Sequence, residues 1–327
     1  MPSPPRDLPA WALAAAALRA GQPAALLCVL RSEGSSPGRQ GFKMAVTAAA
    51  TAGSIGGGVM EHKWVELARQ RLRAGDAAPL LRPQVHRLGA PADRSGMMCS
   101  GEQEVLLWPL APANLPAVAA IETALGALAV GAFELSAAGG LRVLAGAPAT
   151  FYDYRPGPDW HYREQLGFRD QLTIVGGGHV SRALARAAGS LEFEITVLDD
   201  RPDLPTLAAN DDAHHRHVLG SYEALAAAVP PGPHRFVVVM TVGYRTDAVA
   251  LRQLLGRPGA YLGVMGSAAK VAELRRVLAE EGFPAEALAR LRGPIGVPIG
   301  SRTPEEIAIS VAAELIAVRN GAPGAGR

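Results

Sequence analysis

Residues able to hold an anionic ligand are concentrated in two segments near the amino terminus. The first, EGSSPGRQGFKM, runs from Glu33 to Met44, and the second, GSIGGG, runs from Gly53 to Gly58. Apolar positions recur at helical spacing from Val59 onward, so we expect a helix to begin near Gly58. Free N–H groups at a glycine-rich helix start can cradle an anion, which predicts one phosphate or pterin pocket shared by both segments. Tight turns between closely packed backbones explain the composition equally well.

The candidate binding residues of these segments are their glycines, hydroxyls and one cation. They are Gly34, Ser35, Ser36, Lys43, Gly56, Gly57 and Gly58. Glu61 lies in the first turn of the expected helix, where a carboxylate interacts favourably with the helix dipole. In a pocket, Glu61 could instead bind a ring N–H or act as a base. The spacing does not match a P-loop, because no Lys-Ser or Lys-Thr pair follows the glycines.

The two cysteines of the chain have different surroundings. Cys28 lies within an apolar run and is expected to be a small core residue. Cys99 lies in the loop sequence DRSGMMCSGE between two expected strands, and is the candidate for a reactive or ligand-contacting thiol. A structural loop cysteine is the alternative. Two cysteines supply neither a disulfide framework nor a zinc site, so we predict no metal site.

A second chemical signature lies in the C-terminal half. The apolar run LTIV leads into Gly176-Gly-Gly178-His179, a small-residue helix follows, and the next apolar run ends at Asp199 and Asp200. This order is typical of the first βαβ unit of a dinucleotide-binding sheet. Gly176 permits the tight turn, Gly178 lets the backbone approach a phosphate, and Asp199 accepts hydrogen bonds from ribose hydroxyls. The paired acids favour NAD over NADP, and a sheet that binds no nucleotide is the alternative.

Polar loops follow two later strands, at 235–240 and 261–265, and should reach the same edge of the sheet. In an open parallel sheet the ligand crevice lies beyond the carboxyl ends of the strands. Gly266 and Ser267 are therefore expected beside the Gly176 loop, with Lys270 as the phosphate partner. A solvated helix lysine is the alternative for Lys270.

Elements of both kinds alternate along the 327 residues, which predicts an α/β protein of two domains. We expect an N-terminal α+β domain over 1–150, an aromatic- and proline-rich linker over 151–170, and a Rossmann-like, doubly wound parallel sheet over 171–327. The net charge of +2 gives no footprint for nucleic acid. We expect a cytoplasmic protein, because no signal peptide or bilayer-spanning apolar run is present.

In this order the motifs resemble the XdhC/CoxI family, the xanthine dehydrogenase accessory proteins. The resemblance covers about residues 30 to 319. Each motif alone occurs in many families, whereas the whole set in this order is specific for this one. The matching stretches are GSSP from Gly34, GFKM from Gly41, GSIGGG with Glu61, GMMCSGE from Gly96, VGGGHV from Val175, DDR from Asp199, Gly266-Ser267 and IGSRTPEEI from Ile299.

The resemblance implies a function that composition does not. Such proteins bind molybdenum cofactor (molybdopterin), protect it during sulfuration, and insert it into an apo molybdenum hydroxylase. The recipient would be a xanthine dehydrogenase or an aldehyde or carbon monoxide oxidoreductase, and a cysteine desulfurase and a second copy of the chain would be further partners. Cys99, Ser35, Ser36 and the loop Gly56–Gly58 would face the cofactor, with Cys99 a possible molybdenum contact. The resemblance thus implies a binding protein, a chaperone without turnover, rather than an enzyme.

Two other functions fit the same sequence. An NAD(P)-dependent oxidoreductase would use the Gly176 site, with His179 and Tyr244 as the candidate acid/base groups. A nucleotide-sensing module would bind a dinucleotide without turnover and gate cofactor delivery.

Overall fold

The computed structural model describes residues 1–85, 101–146 and 148–322. Contacts divide the chain into two compact units. We refer to Pro4–Gly167 as the N-terminal unit, and to Phe168–Arg327 together with Met1–Ser3 as the C-terminal unit. In the described residues no helix is both long and apolar enough to cross a membrane.

The N-terminal unit is built on two antiparallel sheets. A five-stranded sheet has the order β3-β2-β1-β5-β4, and a four-stranded sheet has the order β7-β6-β9-β8. The elements, in chain order, are α1 (Leu8–Arg19), β1 (Ala24–Gly34), β2 (Lys43–Thr47), β3 (Thr51–Gly53), α2 (Gly58–Ala74), β4 (Leu80–Val85), β5 (Gly101–Leu110), α3 (Leu115–Gly126), β6 (Ala132–Ser136), β7 (Gly140–Leu144), β8 (Tyr152–Arg155) and β9 (His161–Gln165).

The five-stranded sheet is covered on both faces, which explains the uninterrupted apolar run of β1. Leu26 and Cys28 point into a core that contains Trp11 of α1. Their neighbour Leu27 points into a second core with Trp64 of α2. Because side chains alternate across a strand, one run supplies both cores. The prediction that Cys28 is a core residue is confirmed, and burial raises the pKa of its thiol.

The C-terminal unit is a doubly wound α/β fold, as predicted. Its six strands have the order β12-β11-β10-β13-β14-β15, and every pair is parallel. The order reverses between β10 and β13, which places the ligand crevice of such folds at the ends of these two strands. The elements are β10 (Asp170–Val175), α4 (His179–Gly189), β11 (Phe193–Asp199), α5 (Pro205–Ala208), β12 (His215–Val218), α6 (Leu225–Ala228), β13 (Gly232–Val239), α7 (Tyr244–Leu254), β14 (Gly259–Val264), α8 (Ala268–Glu280), α9 (Ala285–Arg290), β15 (Leu291–Arg292) and α10 (Pro304–Arg319).

The linker predicted over 151–170 requires correction. Strands β8 and β9 lie within it and pair with each other, and β9 also pairs with β6. Tyr162 and Trp160 are buried in the core of the N-terminal unit. The aromatic residues that suggested a linker are therefore strand and core residues of the N-terminal unit, and the two units divide between Gly167 and Phe168. Prolines and glycines between short strands gave the segment the composition of a linker.

Candidate functional site

The two glycine-rich segments of the N-terminal unit lie against each other, which is the arrangement of the alternative interpretation, tight turns between closely packed backbones. A side chain at Gly38 would place its Cβ 2.1 Å from the carbonyl oxygen of Ile55, and one at Gly56 would lie 2.5 Å from the nitrogen of Gly38. Gly101, where the described chain resumes, approaches the same place, since a Cβ there would lie 2.4 Å from the nitrogen of Ser36. Glycine is required at these positions because backbone passes directly beside backbone.

Gln103 of β5 fixes the first segment. Its Oε1 accepts hydrogen bonds from the Ser36 hydroxyl at 2.8 Å and from the Gly38 N–H at 3.2 Å. Its Nε2 donates to Oε1 of Gln84 on β4 at 2.7 Å. Ser36 is buried in this network, whereas Ser35 and Gly34 are exposed. Of the two serines named by the sequence, Ser35 is therefore the one open to a ligand.

Glu61 occupies the anion cradle that the glycines were expected to offer. Its Oε2 accepts hydrogen bonds from the Ser54 hydroxyl at 2.6 Å and from the N–H groups of Ile55 and Gly57, both at 2.9 Å. The anion held by this loop is thus the protein's own carboxylate. Glu61 shapes the loop, and only Gly58 of the three consecutive glycines is exposed.

Lys43 requires a correction, because its ammonium group is not accessible to a phosphate. Its side chain is fully buried, and Nζ donates to Asp7 at 2.6 Å, Glu164 at 2.6 Å and the carbonyl of Gly41 at 2.7 Å. Burial alone would lower the pKa of Lys43, but the two carboxylates raise it above its ordinary value. All three ammonium protons are used inside the core.

Arg39 is the cation that the loop does expose, and the sequence did not single it out. Its side chain is exposed, and Nη1 donates to the carbonyl of Gly34 at 2.9 Å. Its place between the glycines Gly38 and Gly41 was the available signal, because a charged side chain in a tight turn points to solvent.

A cavity of about 310 Å³ lies between α2 and β4 in the same unit. We call it the α2 cavity; it is lined by Met60, Lys63, Trp64 and Leu67 of α2 and by Arg82, Pro83 and Gln84 of β4. Its wall is linked to the first glycine-rich segment by hydrogen bonds, because Gln103 donates to Gln84 and accepts from Ser36. The indole N–H of Trp64 is buried and has no hydrogen-bond partner in the described part of the chain. The lining thus combines two cationic side chains, Lys63 and Arg82, with apolar side chains and the indole of Trp64.

Cys99 lies outside the described residues, as does the rest of the segment 86–100. Its expected contact with a ligand stays a prediction from sequence. The first described range ends at Val85, the last residue of β4, and the next begins at Gly101, the first residue of β5.

In the C-terminal unit, the loops after β10 and β13 meet at the reversal point of the sheet. Gly176 has φ +108°, and a Cβ there would lie 2.4 Å from the carbonyl oxygen of Met240. Gly178 is the N-cap of α4 and has open space where a Cβ would lie, and His179 is exposed at the first helical position. The close backbone approach and open helix N-terminus are those expected at this site.

Asp199, however, is not a free acceptor for ribose hydroxyls. Its side chain is fully buried, and Oδ2 accepts from the Gly177 N–H at 2.7 Å and from Nη2 of Arg201 at 2.7 Å. Oδ1 accepts from the N–H and Nε of Arg201 at 2.9 and 2.8 Å. Burial alone would raise the pKa of Asp199, but these hydrogen bonds outweigh it and hold the pKa below its ordinary value. The predicted role is corrected: the carboxylate holds the glycine loop.

Lys270 and Ser267 are likewise engaged within the unit. Lys270 Nζ forms an ion pair with the fully buried Asp247 and donates to the carbonyl of Met265 at 3.0 Å. Ser267 caps α8 by accepting from the Lys270 N–H at 3.2 Å. Gly266 has φ +157° and gives room to the Lys270 side chain, since a Cβ there would lie 2.6 Å from its Cδ. These three residues form one local structure at the crevice edge, and the ammonium is committed to Asp247.

The described residues contain no cluster of three or more metal-ligating side chains. The architecture combines an α+β unit, in which two glycine-rich segments pack against each other, with a Rossmann-type unit, in which Asp199 holds the glycine loop.

The chain belongs to the XdhC/CoxI family. Residues 172–315 match the family model described as the XdhC Rossmann domain, and residues 17–83 match the model described as the XdhC and CoxI family.

Two curated relatives align with part of the chain. The "Uncharacterized protein YqeB" of Escherichia coli K12 is 40% identical over 159 residues, which are 48% of this chain and 29% of that protein. A probable xanthine dehydrogenase subunit of Bacillus subtilis 168 is 30% identical over 151 residues, 46% of this chain and 43% of that protein. The matched region therefore spans less than half the length of either curated relative.

A solved structure shares the whole fold. The crystal structure of a xanthine dehydrogenase from Bacillus halodurans superposes with a TM-score of 0.69 over 97% of this chain and 98% of that chain. The identity is 22%, so this similarity supports the architecture alone.

Proposed function

We propose that the protein is an accessory factor for a xanthine dehydrogenase or a related molybdenum hydroxylase. In this proposal it binds molybdenum cofactor as cargo, protects it while a cysteine desulfurase supplies the terminal sulfur, and transfers it to the apo-enzyme. Family membership supports the proposal, as does the name of the Bacillus subtilis relative. A cytoplasmic homodimer is the assembly we expect, and light scattering on the purified protein tests the dimer.

The observation that carries the cargo site is the α2 cavity beside the interlocked glycine segments. Its volume of about 310 Å³ is in the lower range of small-molecule pockets. Lys63 and Arg82 place positive charge in the lining, which suits a phosphate, and the indole ring of Trp64 suits contact with a pterin. Cys99 follows β4 by fourteen positions and precedes β5 by two, so we propose its thiol as the contact to the metal end of the cargo.

The oxidoreductase alternative is less well supported by the geometry. Hydride transfer needs a bound nicotinamide dinucleotide, but Asp199 and Lys270, the two groups expected to hold its ribose and phosphate, are engaged within the chain. The cargo hypothesis does not depend on either group.

The first test measures the pterin content of the purified protein. Wild type, Cys99→Ala and Trp64→Phe are produced without oxygen in a host that makes the cofactor, and the pterin released after oxidation is quantified by fluorescence. We expect about one pterin per chain in the wild type and at least a fivefold loss in Cys99→Ala. Trp64→Phe keeps an aromatic ring but makes it smaller, and should retain an intermediate amount.

Arg73→Gln serves as the matched control, because Arg73 is an exposed residue on α2 outside the cavity lining and should leave pterin content unchanged. The proposal fails if the wild-type protein retains no pterin and deletion of its gene leaves molybdenum hydroxylase activity intact.

A further inference from the structure

A cavity of about 360 Å³ in the C-terminal unit has a cationic lining that neither the glycine loop nor the cargo proposal uses. We call it the arginine cavity. Its cationic lining residues are Arg235, Arg257, Arg275, Arg290 and Arg292. No aspartate or glutamate is present among the described residues that line it, and its walls are completed by apolar side chains such as Val229, Leu254 and Leu262.

The arginine cavity lies at the opposite edge of the sheet from the Gly176 loop. Its lining includes Pro230 and Pro231, just before β13, and Gly259, the first residue of β14. The Gly176 loop follows the last residue of β10, which runs parallel to β13. Because amino and carboxyl ends of parallel strands lie at opposite edges, a ligand in the arginine cavity would be distinct from one in the Rossmann crevice.

Most of these guanidinium groups have no carboxylate partner in the part of the chain that the structure describes. Arg292 approaches Glu314 at 3.7 Å, whereas the other four form no ion pair within the described residues. Arg275 donates to the carbonyl of Leu291 at 2.6 Å and Arg290 to that of Gly259 at 2.8 Å. A carbonyl satisfies one N–H, but it does not neutralise a charge, and each guanidinium carries five donors.

Two of the arginines are also partly removed from water. The Nε of Arg275 is buried and has no hydrogen-bond partner in the described chain. Burial lowers the pKa of Arg235, and Glu194 offsets this effect only in part. Concentrated, partly desolvated positive charge repels itself and favours binding of an anion.

We propose that the arginine cavity binds a small organic phosphate. Guanidinium forks match phosphate oxygens in bidentate geometry, and the apolar walls accommodate the organic part. The volume is at the low end for small-molecule pockets and suits a mononucleotide or sugar phosphate rather than a dinucleotide. The site is independent of the cargo pocket, which lies in the other unit.

The test is calorimetric titration of the full-length protein with AMP and, separately, with inorganic phosphate. We expect one AMP per chain, weaker binding of inorganic phosphate, and an AMP affinity that falls as salt is added. Arg235→Gln and Arg290→Gln should each weaken AMP binding at least tenfold. Arg290 is exposed, so this variant is expected to fold even if the substitution at Arg235 destabilises the protein.

Two control variants locate the binding. Arg276→Gln removes the same charge from α8, but Arg276 pairs with Glu273 and Glu280 outside the cavity, so the AMP affinity should change less than twofold. Gly178→Asp places a carboxylate in the Rossmann crevice, where a Cβ meets no atom, and should leave AMP binding intact.

Several results would overturn the proposal. These are no saturable AMP binding at millimolar concentration, equal affinity in the arginine variants, and loss of binding in Gly178→Asp. Equal affinity for inorganic phosphate and AMP would overturn the organic-ligand assignment. Tighter binding of a glutamate-rich peptide than of AMP would assign the surface to a protein partner instead.

Discussion

At the scale of single residues, carboxylates of the chain itself bind the two glycine loops for which the sequence predicted a bound ligand. Glu61 accepts three hydrogen bonds from the N-terminal glycine loop, and Asp199 accepts one from Gly177 of the C-terminal loop. Each loop is thereby held in shape without a ligand. An anion that enters either unit must use other groups, which we propose are the lining residues of the α2 cavity and of the arginine cavity.

The role of Asp199 leads to a stability prediction. Asp199→Asn leaves the buried Gly177 N–H and the Arg201 guanidinium with a weaker, uncharged partner, so we expect a loss of about 2–4 kcal/mol in the free energy of unfolding. Chemical denaturation without added nucleotide measures this loss. Asp203→Asn, at an exposed position in the same loop, is the control and should change stability by less than about 0.5 kcal/mol. Unchanged stability in Asp199→Asn would contradict the structural role of Asp199 and favour the role predicted from sequence, in which it accepts hydrogen bonds from ribose hydroxyls.

The buried group around Lys43 leads to a prediction about pH. Burial raises the pKa of Glu164 to about 7 against an ordinary value of 4.5, although Lys43 opposes the shift. The folded state therefore binds more protons than the unfolded state between about pH 4.5 and 7. The stability that protonated Glu164 contributes is complete below pH 4.5 and is lost as the pH rises through 7.

Melting temperatures between pH 5 and 8 measure this contribution. Glu164→Gln cannot ionise but keeps an acceptor for Lys43 and for the Tyr162 hydroxyl, which donates to Glu164 at 2.5 Å. The wild-type melting temperature should fall by about 3–6 °C relative to this variant across that range. The melting temperature of Glu66→Gln, which alters an exposed carboxylate of α2, should change with pH in parallel with that of the wild type. Parallel curves for wild type and Glu164→Gln would contradict the raised pKa.

At the scale of elements, the glycines of the N-terminal unit set how closely its segments approach. The contact between Gly38 and Ile55 joins the loop after β1 to the loop before α2, and Gly101 brings the start of β5 to the same point. Sequence patterns predicted the start of α2 near Gly58 and the strands that correspond to β13 and β14, because apolar periodicity is a local property. They did not predict that β8 and β9 complete a sheet with β6, because pairing across many residues is not encoded in local composition.

The close approach can be tested by adding one methyl group. Gly38→Ala places a Cβ 2.1 Å from the Ile55 carbonyl oxygen and 2.8 Å from Oε1 of Gln103, so one segment must shift. We expect a loss of about 1–3 kcal/mol in stability and a lower pterin content in the cofactor assay. Gly126→Ala, at the end of α3 where a Cβ meets no atom, should be neutral or slightly stabilising. Normal stability in Gly38→Ala would show that the loops separate readily.

At the scale of the whole molecule, the sequence by itself determined that there are two units, which one carries the parallel sheet, and to which family the chain belongs. These features follow from motif order and apolar periodicity, which are properties of neighbouring residues. Only the tertiary structure decided that Lys43, Asp199 and Lys270 are committed to internal partners and that five arginines from separate elements line one cavity. The physical reason is that an ion pair depends on which side chains meet after folding, and Lys43 and Glu164 are 121 positions apart.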